Sequence, residues 1–536
     1  MLLAGGICAL GYAPLNLWPL PFLGLTLLID RVMRVARVRE VFLAGWCFAL
    51  AHFLIALNWI PTAFTHQANM PAWLGWLGLT LLSMYLGLFP ALAAALAWLL
   101  ARQQRLAFVL LFAAVWMLCE WLRGWLLGGF PWNPIGIIWL PLPWVAQGAK
   151  WIGTYGLSGL LVLAAGLLWL GLQSRWRAAA ACALTLIMAG ILLGRLPGAT
   201  QADSSAGIPV RIVQPNISED EKNDPDQAES NMQRYAVLSG APTSQARVLL
   251  WPEGATPDIL EFEPAYVAPA SVRRVRAQLA ALLGPHDILL AGGASAIIDL
   301  HGDQDVYHNS VFALDSSGKT RWRYDKAHLV PFGEFLPARP ILERIGLSRL
   351  VEAEGDFSPG PGPRTFVVPG FLADGKPLTV AVQICYEIIF SGRVIDEAHR
   401  PSFLFNPSND GWFGAWGPPQ HLAQARLRAI EEGIPIIRAT PNGISAVIGP
   451  TGQLLATIPW HTAAVVDAQI PAALPPTIFS RFGLWSSALF GLSLGTAGIL
   501  TNRSRIRPER AAAPRSPGAP GPDVAAANRL MRDVKG

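Results

Sequence analysis

Cys385 ends a strand-like stretch, Leu378-Thr-Val-Ala-Val-Gln-Ile-Cys385, and is the one cysteine outside an apolar membrane-type run. Two other reactive side chains end similar stretches: Glu253 after Val248-Leu-Leu-Trp-Pro, and Lys326 after Trp322-Arg-Tyr-Asp. A thiolate attacking a carbonyl needs a base for its proton and a positive group for the developing oxyanion. In this reading Glu253 is the general base and then the acid for the leaving group. Lys326 orients Glu253 and stabilises the tetrahedral intermediate, together with a backbone N–H near Cys385 or Tyr386. A carboxylate alone would raise the thiol pKa, whereas a neighbouring ammonium lowers it, so the pair keeps the thiol poised. Taken singly, such a cysteine is more often an inert core residue, and such a glutamate or lysine a solvated charge. Three strand ends delivering a carboxylate, an amine and a thiol point together to acyl transfer.

The elements that must position these groups lie partly in lipid. Only 14% of the 536 residues are charged, against about 25% in ordinary soluble proteins. No charge occurs from Met1 to Ile29, where Pro14, Pro19 and Pro21 divide the run into two short helices. Residues 2–13 fall short of the roughly 20 needed to span a bilayer, so the helix tilts or the natural start lies upstream. A cleaved signal peptide competes with this, but there is no basic leading region and no clear cleavage site. Apolar runs over Val41–Ile60, Trp73–Leu100, Leu106–Leu118, Gly153–Leu172, Ala178–Gly194 and Leu484–Leu500 bring the expectation to about eight spans. Arginines mark alternate connections at 31–39, 102–105, 175–177 and 503–510. The positive-inside rule makes these cytoplasmic and places residues 197–480 on the other side.

That outer segment changes character. Val210–Gln214, Val248–Trp251, Asp287–Ala291, Ser310–Leu314, Leu378–Cys385, Ser402–Phe405, Ile434–Ala439 and Ala446–Gly449 read as buried strands bounded by turn residues. Helical patterns over Ser271–Leu283 and Gln420–Glu432 make this an α/β domain with helices covering the sheets. The expected organisation is a helix bundle over 1–196, a catalytic domain over 197–480, a last span over 481–502 and a disordered cytoplasmic tail over 503–536.

Several segments carry a resemblance. Trp251-Pro-Glu-Gly-Ala255, the run from Tyr324 to Pro337 containing Lys326 and Glu334, Ile384-Cys-Tyr-Glu387, Ser408-Asn-Asp-Gly-Trp-Phe-Gly414 and Arg438–Ile444 resemble the successive signatures of the apolipoprotein N-acyltransferases. These form the membrane-bound branch of the nitrilase (carbon–nitrogen hydrolase) superfamily. Glu120-Trp-Leu-Arg-Gly-Trp-Leu-Leu-Gly-Gly-Phe-Pro-Trp132 is similar to their membrane domain. The resemblance implies an αββα sandwich outside the inner membrane on an eight-helix bundle, with Glu253, Lys326 and Cys385 as the triad. It gives Glu334, Tyr386 and Glu387 supporting positions, although Glu387 reads equally well as a buried hydrogen-bond partner. It further implies that Cys385 takes the sn-1 acyl chain of a phospholipid, commonly phosphatidylethanolamine, as a thioester. The α-amine of a diacylglyceryl apolipoprotein then accepts that chain. No cofactor is expected, and the chain is expected to act as a monomer.

Trp251 and Trp412 are candidate substrate contacts within those segments, and Glu120 with Arg123 a candidate lipid-headgroup contact or an interfacial pair. Departures are local: Asn223 replaces a lid tryptophan and Pro419 a common aromatic residue. Segments 220–230 and 335–361 are long and turn-rich, as expected of loops gating the site. The histidines show no HExxH pattern, there is no G-x-S-x-G elbow, and no basic and aromatic stripe suits nucleic acid. Two alternatives are a membrane-tethered amidase that passes the acyl group to water and a binding scaffold without chemistry. The membrane segment counts against the first and the intact triad against the second.

Overall fold

The structure, a computed structural model, describes residues 1–66, 71–173, 207–257, 259–300, 305–337, 356–369 and 377–511, together with Arg339, Arg344 and Phe371. The bundle contains α1 (Leu2–Ala9), α2 (Leu20–Arg34), α3 (Val38–Ala56), α4 (Trp73–Ala101), α5 (Arg105–Arg123) and α6 (Ala149–Gln173). A helix from Leu484 to Ala511 returns to it from the far end of the chain. Among the described residues, five helices are long and apolar enough to cross a membrane: α3, α4, α5, α6 and Leu484–Arg503. Helices α1 and α2, of 8 and 15 residues, are shorter than a span. The apolar run Ala178–Gly194 and the arginines at 175 and 177 lie outside the described residues.

Close helix approach relies on small residues, because a side chain at the contact would hold the backbones apart. Gly45 of α3 is one case, since a Cβ there would sit 2.9 Å from the Ala91 Cα of α4. In α6 the backbone breaks at Gly153 (φ 64°), where the Phe479 ring and Ser487 occupy the space a side chain would need. The arginine-marked ends that are described meet at one end of the bundle. Asn502 Nδ2 donates to Leu100 O at 2.9 Å, Trp169 Nε1 to Asp30 Oδ1 at 3.1 Å, and Arg105 lies 5.8 Å from the Trp169 ring.

Two mixed sheets form the other half. The first contains β1 (Ile208–Gln214), β2 (Val248–Leu250), β3 (Ile259–Glu263), β4 (Ile288–Ile297), β5 (Val306–Asp315), β6 (Thr320–Asp325) and β13 (Ala464–Ile470). Its order is β13-β1-β2-β4-β5-β6, with β3 also on β4. The second has the order β12-β11-β10-β9-β8-β7. Its strands are β7 (Thr365–Val368), β8 (Leu378–Val382), β9 (Phe403–Pro407), β10 (Ile436–Ala439), β11 (Ser445–Ile448) and β12 (Leu454–Ile458).

Alternation along each strand separates two faces. Val248, Leu250 and Leu290 pack between the sheets with Val380, Val382 and Phe405. Leu249 and Leu289 point outward, under helices α7 (Ala228–Ser239) and α8 (Ala270–Ala280). Behind the second sheet lies α9 (Gly417–Glu432), whose Leu422, Leu427 and Ile430 share one continuous core with the sheet's Ala381 and Leu404 and the bundle's Leu157 and Leu161. The expected αββα layering is present, and its second helix layer is also the bundle's docking surface.

Two sequence expectations need correction. Residues 220–230 are not a loop: Ser218 and Glu221 form a capping box that starts a helix over Glu219–Asn223, and Ala228 opens α7. The last helix, numbered α10 (Leu484–Ala511), runs past the boundary at 503 where disorder was expected. Residues 512–536 and most of 335–361 lie outside the described residues.

Candidate active site

Three chain reversals bring the expected triad to the seam between the sheets. Glu253 follows β2, where Trp251 N donates to Leu290 O at 2.9 Å and Gly292 N to Pro252 O at 3.2 Å. Lys326 follows β6 and is held to β5 by its own N–H on Asn309 O at 2.8 Å. From there Lys326 Nζ reaches Glu253 Oε1 at 3.2 Å and Glu334 Oε1 at 2.9 Å. Asn309 Nδ2 donates to the same two oxygens, each at 2.8 Å. Glu334 is fixed in turn by the Val330 N–H on its Oε2 at 2.8 Å. Glu253 Oε2 has no hydrogen-bond partner among the described residues.

Cys385 comes from the second sheet, just beyond β8, with φ at +49°, a conformation costly for a side-chain-bearing residue. It opens a 3-10 turn over Cys385–Ile389. Two groups hold this turn. Glu387 reaches back to the Ile384 N–H at 2.7 Å and across to the first sheet, accepting from Tyr324 Oη at 2.9 Å, Ala327 N at 2.7 Å and His328 N at 3.1 Å. His421 Nε2 lies 3.1 Å from the Cys385 carbonyl oxygen. Behind His421 stands a fully buried ion pair, with Arg438 Nη2 2.5 Å from Asp410 Oδ1 and 2.9 Å from His421 Nδ1.

The electrostatics define the resting state. Burial alone would lower the Lys326 pKa, but Glu253 and Glu334 outweigh it and keep the ammonium charged. Burial would raise the Glu253 pKa, but Lys326, Lys222 and the Asn309 and Lys326 hydrogen bonds hold it below the usual carboxylate range. Burial and the Glu253 charge push the Cys385 thiol well up, opposed by Lys326 and the Asn409 backbone N–H. The site therefore rests as thiol, carboxylate and ammonium. Burial also lifts Glu387 to about 7 against its several hydrogen-bond donors, and lowers His421, with Arg438 adding to the effect and Asp410, 3.1 Å from Nδ1, and the Cys385 carbonyl opposing it.

The structure places the remaining sequence candidates as follows. Tyr386 donates from Oη to Gly129 O at 3.0 Å, tying the nucleophile turn to the loop after α5. Trp412 sits edge-on to His66, 5.9 Å between ring centroids, at the junction with the bundle. Trp251 requires correction as a substrate contact: it is fully buried on the outer face of the first sheet, stacked on Tyr235 at 4.5 Å, with Nε1 donating to Ser239 Oγ at 3.0 Å. Glu120 and Arg123 are likewise buried inside the bundle, 6% and 2% exposed, rather than presented to headgroups. Glu120 accepts from Ile135 N at 2.9 Å and Arg123 donates to Trp132 O at 3.0 Å, so the two fasten the loop after α5.

Sequence reasoning gave no role to Asn309, His421 and Gln420, and carried Asp410 and Arg438 only as members of the resembling segments. Gln420, in the first turn of α9, accepts from Trp132 Nε1 at 2.9 Å and Asn133 Nδ2 at 2.8 Å, while its amide donates to Ala13 O at 3.1 Å and Ala56 O at 3.0 Å. It thus joins the bundle's α1, α3 and α5 connections to the helix that carries His421. A readable signal existed for Arg438, a charge inside an otherwise apolar strand, since a buried charge requires a partner.

Comparison with known proteins bears on both halves of the chain. Residues 4–167 match the family model described as the apolipoprotein N-acyltransferase N-terminal domain, and residues 209–475 match the carbon-nitrogen hydrolase model. The apolipoprotein N-acyltransferase of Bradyrhizobium diazoefficiens is 37% identical over 526 residues, covering 94% of each chain. That of Rhodopseudomonas palustris is 37% identical over 506 residues, 90% of this chain and 91% of its own. That of Caulobacter vibrioides is 35% identical over 519 residues, 94% of each. Among solved structures, Saccharomyces cerevisiae Nit3, a member of branch 10 of the nitrilase superfamily, aligns with 52% of this chain and 94% of its own at 21% identity and a TM-score of 0.34.

Proposed function

This chain belongs to the apolipoprotein N-acyltransferase family, and from that premise we propose that it transfers a fatty acyl chain from a phospholipid to the α-amine of a diacylglyceryl-cysteine lipoprotein through a thioester on Cys385. Glu253 takes the thiol proton on its unpartnered oxygen as sulfur attacks the sn-1 ester carbonyl. The Sγ–C bond forms and the C–O bond breaks, and Glu253 returns the proton to the departing glycerol oxygen, releasing a lysophospholipid. In the second half-reaction the amine nitrogen attacks the thioester, its proton passes through Glu253 to sulfur, and an amide leaves. Lys326 stabilises both tetrahedral oxyanions, a role in which removing one donor typically costs about 3–4 kcal/mol of barrier.

The observation that carries this reading is the thiol at a positive-φ turn beside a buried carboxylate–ammonium pair 3.2 Å apart, at the end of the sandwich fused to the bundle. Both substrates are membrane-anchored, which accounts for a hydrolase-like site tethered by helices. The arginine-bearing bundle ends lie opposite the Gln420 junction, supporting a cytoplasmic basic end and a periplasmic site in the inner membrane. Phosphatidylethanolamine is the expected donor, and one chain holds the whole triad.

The acceptor is tested with a diacylglyceryl-cysteine peptide whose α-amine is free or acetylated. Acyl transfer to the free amine alone supports the proposal. Release of free fatty acid at the same rate with either peptide, and no peptide product, would mean that the acyl group passes to water, as in the alternative membrane-tethered hydrolase reading.

A further inference from the structure

Beside the nucleophile turn stands a cation that the proposed chemistry does not use. Arg393 lies 3.2 Å above the Trp125 ring, and its Nη1 is 3.4 Å from His328 Nε2. No carboxylate among the described residues pairs with it. The neighbouring Arg400 is different: its guanidinium is taken up by Ser480 Oγ and the carbonyls of Glu432 and Leu474. With its face on an indole, Arg393 keeps in-plane N–H donors for an anion.

Its depth is fixed from two sides. Gly392, next in the chain, touches Leu484, the first residue of α10, where a Cβ would be 3.0 Å from Leu484 Cγ. Trp125 follows the end of α5 at Arg123. Arg393 therefore sits where two apolar helices end, the level of lipid phosphates in a bilayer. Beside Trp125, Leu126 and Leu127 are exposed, Leu127 to 86%, and the same loop meets the Pro331–Phe332 turn that carries Glu334. On its other side His328 packs at a tilt against Phe390, 4.2 Å between ring centroids, and Phe390 packs edge-on against Tyr386 at 5.4 Å. One short path thus joins this cation, an apolar lip and the nucleophile turn.

We propose that Arg393, backed by His328, binds the phosphodiester of the donor phospholipid while its acyl chains pass over Leu126, Leu127 and Phe332 towards Cys385. This rests on the acyl-enzyme reading above. The lipid is favoured over a soluble phosphate because the apolar lip adjoins the cation at the membrane boundary, where a headgroup and its chains arrive together.

The test measures acylation of Cys385 in detergent with two donors of the same chain, phosphatidylethanolamine and the neutral p-nitrophenyl ester. The deciding quantity is the ratio of the two kcat/KM values. Arg393→Gln is expected to lower that ratio by about tenfold, mostly through KM for the phospholipid, with Arg393→Lys restoring much of it. A ratio within twofold of the native one would overturn the proposal. A second measurement needs no variant: on the native protein, lysophosphatidylethanolamine should slow acylation by the p-nitrophenyl ester at about one tenth the concentration of the matching monoacylglycerol. Equal potency, or equal inhibition by inorganic phosphate, would overturn the site. If neither donor leaves an adduct on the native protein, the acyl-enzyme reading fails and this site falls with it.

Discussion

The part of the site on the first sheet and the part on the second are held by different means. Glu253, Lys326, Asn309 and Glu334 fix one another through side chains, two carboxylates sharing one ammonium and one amide. Cys385 is fixed through its backbone, by His421 on its carbonyl and Glu387 on the N–H before it. The first arrangement is complete within its own sheet and the turn bearing Glu334. The second leans on α9, and through Gln420 on the bundle. Acid–base chemistry can thus be assembled in the sandwich alone, whereas the placement of the nucleophile is coupled to the membrane half.

The largest effect should come from breaking the first arrangement. Lys326→Met leaves Glu253 and Glu334 facing each other in a buried site, which costs about 3–5 kcal/mol in comparable pairs. Thioester formation, followed by intact mass, should fall by about 10³-fold. Glu387→Gln comes next, because an amide presents donors to the Ile384, Ala327 and His328 N–H groups. Acylation should fall by about 10²-fold, consistent with two or three unsatisfied buried donors.

Glu387 also sets a pH signature. Its pKa is raised to about 7 in the folded protein, above an unfolded value near 4.3. The folded state therefore binds the extra proton, and this group's stabilisation is full below about pH 4 and lost as pH rises through 7. The apparent melting temperature of the native protein in detergent should carry a component that declines over that window, and Glu387→Gln should remove it.

Gln420→Ala sharpens the contrast at a smaller scale. It strips partners from Trp132, Asn133, Ala13 and Ala56, with a cost of about 3 kcal/mol. Acylation should slow through kcat while the Lys326–Glu253 pair stays intact, so a slowed rate with unchanged pH dependence of acylation supports the coupling. Trp251→Phe should do least. It loses the Ser239 bond on the outward face, about 1 kcal/mol of stability, and acylation should stay within twofold of native.

The contrast also explains what could be read from the sequence. Strands such as Val248–Leu250 and Leu378–Val382 are short apolar runs ended by turn residues, and each delivers its reactive residue just beyond its end. The triad of Glu253, Lys326 and Cys385 was therefore visible as a set of strand ends, while Glu334 came only with the resemblance and Asn309 not at all. The groups behind Cys385 were not visible, because Asp410, His421 and Arg438 come from a turn, a helix and a strand that only the sheet order brings together. Trp251 was misread although period-two alternation places it with outward-facing Leu249 rather than with Val248 and Leu250. Residues 220–230 were misread because their polar, proline-containing composition obscured the Ser218–Glu221 capping box. Strands β12 and β13 escaped notice because most of their residues are exposed or half-buried, so neither reads as a buried strand.

The acyl-enzyme itself is the most direct test. The purified protein is incubated with phosphatidylethanolamine and its intact mass compared with that of Cys385→Ala. The account predicts a hydroxylamine-labile gain of one fatty acyl group on the native chain and none on the variant. Lipid binding without any such adduct on the native chain would contradict it.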